Sequence, residues 1–142
     1  MPVTKVLLDT NVVLDVLLER RPHTAASAAI WTAVETGKAK GLLAAHAVKT
    51  VHYLVSRERG TAVGQRTLNT ILRVLGVAPV DSKVIQNAIA LAWPDFEDAV
   101  TAAAAAQAGC DLIVTRDPRG FPHSPVTVLP PEAAVAFLRG GS

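Results

Sequence analysis

Three aspartates have the type and setting that chemistry requires. Asp9 directly follows the apolar run Val6-Leu7-Leu8, Asp117 stands just past Leu112-Ile113-Val114, and Asp98 lies in Trp93-Pro94-Asp95-Phe96-Glu97-Asp98, where a helix begins. A carboxylate near an apolar core is costly unless something positive meets it. Several together therefore point to a bound cation. Oxygen ligands, with no cysteine or paired histidine at metal spacing, favour Mg2+ or Mn2+ over zinc. A divalent ion held by carboxylates can activate water, orient it in line with a phosphodiester and stabilise charge on the phosphoryl oxygens. Phosphodiester hydrolysis is the chemistry this predicts. Asn11, just beyond Asp9, and Thr115, just before Asp117, are neutral polar groups suited to supporting the carboxylates rather than ligating the metal. Asp95 and Glu97 are secondary candidates, because Asp95 has a capping role available and Glu97 is expected to face outward.

Each residue also has a purely structural reading. Asp9 and Asn11 can cap a helix starting near Val12, Asp95 and Asp98 can serve the dipole of the next helix, and Asp117 before Pro118 can start a turn. A common position at one edge of a sheet is what favours the metal.

The elements that must achieve this follow from the hydrophobic pattern. Residues 5–9 form a short apolar run, after which Val12, Val13, Leu14, Val16, Leu17 and Leu18 recur at helical spacing. Pro22 suits the first turn of a second helix ending at Gly37, and Gly41-Leu42-Leu43-Ala44 reads as a buried strand. Two further helices are stopped by Gly60 and Gly76, and Pro79 restricts the short strand over 76–80 to an edge or a strand end. Asp81-Ser82 caps another helix, and Asp95 caps an alanine-rich helix reaching about Ala108. Such a helix can approach a sheet closely and draw Asp98 toward the strand ends. Strands over 111–115 and 126–129 and a helix opened by Pro131 complete the chain. Strands alternating with helices predict a doubly wound α/β fold, a parallel sheet of four to five strands flanked by helices. Its ligands would collect at the carboxyl ends of the strands.

Composition narrows the classes. The 142 residues, half of them apolar, suit one domain over 1–139 with a flexible tail at 140–142. A net charge of +2 permits a nucleic-acid partner without arguing for one. Cys110 is the only cysteine and reads as a buried, reduced thiol. Asp9 interrupts the N-terminal run too early for a signal peptide, and His46, Lys49 and Gln107 break the candidate membrane spans. A soluble, cytoplasmic protein is expected. His23, His46, His52 and His123 read as surface or helix-packing residues, and Trp31 and Trp93 as core or dimer-face aromatics. Arg57, Arg59, Arg66 and Arg73 form either a solvated face or an RNA-binding rim.

Taken together, Leu7-Leu8-Asp9-Thr10-Asn11, Asp95-Phe96-Glu97-Asp98-Ala99 and Ile113-Val114-Thr115-Arg116-Asp117-Pro118-Arg119-Gly120-Phe121 resemble the motifs of PIN-domain nucleases of the VapC toxin type, over most of the chain. The resemblance implies a five-stranded parallel sheet, a Mg2+- or Mn2+-dependent endoribonuclease acting on RNA, homodimers, and inhibition by a small antitoxin. By motif position it implies Asp9, Asp98 and Asp117 as metal ligands, with Asn11 and Thr115 as supporting residues. The chain departs from the pattern where many relatives carry a glutamate, at Thr50, and where relatives often have a further aspartate, at Gly120. Two alternatives follow. One is a degenerate PIN domain that binds RNA or protein without cutting. The other is a haloacid-dehalogenase-type phosphatase, which would need an acid where Asn11 stands.

Overall fold

The computed structural model describes residues 3–140, so Gly141 and Ser142 of the expected tail lie outside the described residues. Five parallel strands form one sheet: β1 (Lys5–Leu8), β2 (Lys40–Ala44), β3 (Gly76–Ala78), β4 (Leu112–Val114) and β5 (Thr127–Leu129), in the order β3-β2-β1-β4-β5. β1 is central, with Val6 paired to Gly41 on one side and to Leu112 on the other. Val6, Leu7 and Leu8 are accordingly buried on both faces, as a parallel strand between helical layers must be.

Alternation along the strands divides the core into two layers. Val6, Leu8, Leu112 and Val114 face large side chains of α1 (Thr10–Leu17), α2 (Thr24–Glu35), α3 (Ala45–Arg59) and α4 (Thr61–Val74). Leu7 and Ile113 face α5 (Ser82–Leu91) and α6 (Phe96–Gln107), where Ala99 and Ala102 to Ala105 are buried. The last helix, α7 (Pro131–Gly140), packs on the first layer through Ala134. Gly41 allows close layering at β2, since a Cβ there would stand 2.8 Å from Leu75 Cδ2.

β3 lies at the sheet edge with Pro79 just beyond it, as expected. The strands expected over 76–80, 111–115 and 126–129 are one or two residues shorter, and two helix starts differ from the pattern reading. α1 starts at Thr10 rather than near Val12, because the Asp9 carboxylate accepts the Thr10 N–H and the Asp9 carbonyl accepts those of Val12 and Val13. Pro22 lies outside α2, whose first backbone bond runs from Ser27 N–H to His23 O. Trp31 is core, and Trp93 is half-buried with its ring edge-to-face against Phe121 at 5.6 Å. Cys110 is buried, and burial pushes its thiol up to about 11. Among the described residues no helix is long and apolar enough to cross a membrane.

Candidate active site

β1 and β4 are neighbours in register, Leu8 opposite Val114, so the chain leaves both strands side by side. Asp9 N–H donates to Val114 O at 2.9 Å and fixes that exit. The Asp9 carboxylate is then held from two directions, by Thr10 N–H on Oδ1 and by the Thr115 hydroxyl on Oδ2, both at 2.8 Å. Thr115 is fully buried and uses its entire hydrogen-bonding capacity. Having donated to Asp9, its Oγ accepts Asp117 N–H at 3.2 Å and Asn11 Nδ2 at 3.3 Å. Asn11 Oδ1 in turn accepts Arg116 N–H at 3.2 Å. One hydroxyl and one amide thus lock Asp9 to the segment carrying Asp117.

Asp98 reaches the same edge from the other layer. Asp95 caps α6, its Oδ1 accepting Asp98 N–H at 3.1 Å, and leaves Asp98 in the first helical turn. The buried alanines behind it let α6 lie against the sheet. Gly120, in a short 3-10 turn over Pro118–Gly120, marks where the carboxylates meet: a Cβ there would stand 2.8 Å from Asp98 Oδ2 and 3.6 Å from Asp117 Oδ2. A side chain at that position would press on the Asp98 carboxylate, which would have to shift to admit it.

The electrostatics are those of carboxylates without a counter-charge. Burial, and then the negative charges of Asp9, Asp95, Glu97 and Asp117, push Asp98 up to about 7. Burial also raises Asp9, against the opposing hydrogen bonds from Thr115 and Thr10. Glu97 is exposed, as expected, yet its charge acts on both aspartates.

His46 is the site neighbour that the sequence reading passed over. It lies in the first turn of α3, directly after β2, with Nε2 3.3 Å from Thr101 Oγ on α6. Burial lowers its pKa, against the opposing charges of Glu97 and Asp9. Its Nδ1 is buried without a hydrogen-bond partner. Its place two residues past a strand end was the available signal.

This donor set, hard oxygens repelling one another across a shared edge, suits a divalent cation of the Mg2+ or Mn2+ kind. The side chains are not drawn together as a finished centre: among the described residues no group of three His, Cys, Asp or Glu is set to hold a metal ion. A groove of about 520 Å3 lies elsewhere, between α2 and α7, lined by Ile30, Ala33, Val135 and Leu138. It contains no carboxylate.

The family model for the PIN domain matches residues 5–119. No protein of curated function matches the chain in sequence. Among solved structures, the fold is similar to VapBC2 of Rickettsia felis bound to a promoter DNA fragment, at 14% identity and a TM-score of 0.70 over 89% of this chain and 98% of that one. A toxin–antitoxin complex from Klebsiella pneumoniae is similar at 20% identity and a TM-score of 0.68, over 89% and 97%. VapC20 of Mycobacterium tuberculosis, described as a sarcin–ricin loop cleaving toxin, is similar at 14% identity and a TM-score of 0.62, over 76% and 86%. At these identities the likeness is one of fold.

Proposed function

The chain belongs to the PIN-domain family, and from that premise we propose that it is a metal-dependent endoribonuclease, the toxin of a toxin–antitoxin pair. The observation that carries this reading is Asp98, raised to about 7 in the company of Asp9 and Asp117 at one sheet edge. A folded protein keeps such repulsion where a cation relieves it. Asp9, Asp98 and Asp117 would hold Mg2+ or Mn2+. That ion, when bound, supplies Lewis acidity toward the phosphoryl oxygens and makes water more acidic.

The protein's own groups do the rest. Thr115 fixes the rotamer of Asp9 and, by accepting Asp117 N–H, the backbone that presents Asp117. Asn11 ties α1 to the same segment through Thr115 and Arg116. Burial and the neighbouring acids push Asp98 up to about 7 in the metal-free protein, and a cation held there would favour its ionised form. RNA is favoured as substrate by the likeness to the sarcin–ricin loop cleaving toxin of Mycobacterium tuberculosis, and an antitoxin partner by the likeness to the Klebsiella pneumoniae complex. A homodimer is part of the same proposal.

Purified protein with Mn2+ is expected to cleave single-stranded RNA, and Asp9→Asn to abolish cleavage. Undiminished activity in that variant would sink the assignment.

A second reading, a PIN domain that binds RNA or protein without cutting, is favoured by the absence of a ready three-ligand group among the described residues and by Thr50 in place of a carboxylate. Calorimetry separates the two, since no heat with millimolar Mn2+ would select the non-catalytic one. The phosphatase alternative is set aside. It needs an acid at Asn11, whose amide is committed to Thr115 and Arg116, and the family match is to a different fold family.

A further inference from the structure

Arg116 stands between Thr115 and Asp117, in the segment that carries two of the proposed site residues. Its side chain is claimed by another layer: Nε lies 2.8 Å from Oδ2 of Asp15. Asp15 is completely buried on α1, one turn past Asn11. Residues four apart share a helix face, so a single face of α1 meets Arg116 twice, Asn11 by a hydrogen bond from the backbone N–H and Asp15 by charge, the Nε approach at 2.8 Å lacking hydrogen-bond alignment. Ser27 Oγ donates to the same Asp15 Oδ2 at 3.2 Å, while Asp15 Oδ1 is buried without a partner.

A fully buried carboxylate is a costly way to hold a surface arginine in place. A simple helix-to-loop tether could be apolar. Arg116 is also not fully consumed: its side chain remains 31% exposed, and among the described residues no hydrogen bond engages its Nη atoms. The guanidinium carries five donors in a rigid fork, suited to phosphate oxygens. Placed next to Asp117 without an anchor, it would be drawn into the carboxylates and take the place of the cation.

We propose that Arg116 contacts a phosphate of the RNA beside the scissile bond, with Asp15 the positioning residue that holds the guanidinium off the carboxylates and leaves its Nη atoms to the substrate. This rests on the ribonuclease reading and adds a substrate contact to it. The contact is electrostatic, so it must appear in the salt dependence of binding. For single-stranded nucleic acid each phosphate contact contributes about 0.7 to the slope of log K against log salt.

The experiment measures binding of a fluorescein-labelled single-stranded RNA of mixed sequence to the Asp9→Asn protein, titrated with KCl, with and without Arg116→Gln, Arg116→Lys or Asp15→Asn. Melting temperatures are recorded for each variant, and cleavage kinetics for the same substitutions in the Asp9 chain. Arg116→Gln is expected to lower the salt slope by about 0.7, and Arg116→Lys to restore it. Asp15→Asn is expected to raise KM about tenfold, more than it lowers kcat, as loss of a substrate contact does. An unchanged slope in Arg116→Gln, with the parent chain cleaving RNA, overturns the inference and leaves the ribonuclease reading standing. The same holds if Asp15→Asn lowers only the melting temperature and kcat. A parent protein that neither binds nor cleaves RNA overturns the ribonuclease reading and the inference together. Should Asp15→Asn fail to fold, the half-exposed Arg116 variants still decide the matter.

Discussion

The two ends of α6 treat carboxylates in opposite ways. At its C-terminal end Asp81 accepts Val84 N–H and the Gln107 amide, which hold its carboxyl below the usual range. Nearby, Asp111 accepts Lys5 N–H at 2.9 Å while the Lys5 ammonium donates to Ala108 O. At the N-terminal end Asp98 has Asp9, Asp95, Glu97 and Asp117 around it and is pushed up to about 7. Acidity alone therefore does not mark a site. What distinguishes the two ends is burial beside other carboxylates: Asp81 is exposed and holds donors, whereas Asp98 is partly buried among four other acids.

The sharpest way to break this contrast is to neutralise one acid from each end. Asp98→Asn should reduce RNA cleavage by more than about a hundredfold, beyond what loss of a supporting group usually costs, while Asp111→Asn leaves the rate essentially unchanged. Equal effects in a gel-based cleavage assay would erase the distinction. Thr115→Val comes next. It removes the hydroxyl from Asp9 and Asp117 at nearly constant volume, and a rate loss of about 10- to 100-fold is expected. A value close to that of the parent would mean that the buried hydroxyl serves the fold alone.

The close approach of α6 supplies a third test. Ala104→Leu inserts volume into a fully buried position and should cost about 1–3 kcal/mol in urea unfolding. Cleavage should fall further than stability explains, because the helix that carries Asp98 is displaced. The smallest effect concerns pH. The folded-state pKa of Asp98, about 7, lies above the usual 3.8, so its contribution to stability is complete below the lower value and is lost as pH rises through the higher one. Asp9, also raised, acts in the same direction. The melting temperature of the metal-free protein should decline between pH 4 and pH 7. Asp98→Asn should flatten that decline, and Mg2+ should offset it at the upper end. A parallel curve for the variant would show that Asp98 is not the group responsible.

Much of this arrangement was readable along the chain. The run Val6-Leu7-Leu8 before Asp9, the cap at Asp95 and the alanines behind Asp98 are local patterns, and each carries its consequence in a few neighbouring residues. His46 was readable as a site neighbour only through its place two residues past a strand end. An isolated histidine has no periodic partner, and its contact with Thr101 on α6 spans 55 residues. Arg116 and Asp15 were silent for the same reason, since their ion pair joins the first helix to the fourth strand's exit.

The sequence by itself determined the parallel α/β architecture, the PIN-type motifs and which aspartates border the strand ends, because propensity, capping and hydrophobic period act over a few residues. Tertiary structure alone decided that β1 and β4 would be neighbours, that Thr115 would lock Asp9, that Gly120 would lie against the Asp98 carboxylate, and that Asp15 would pair with Arg116. Those outcomes depend on register and on the close packing of two helical layers, which set distances between residues about a hundred positions apart that no local pattern encodes.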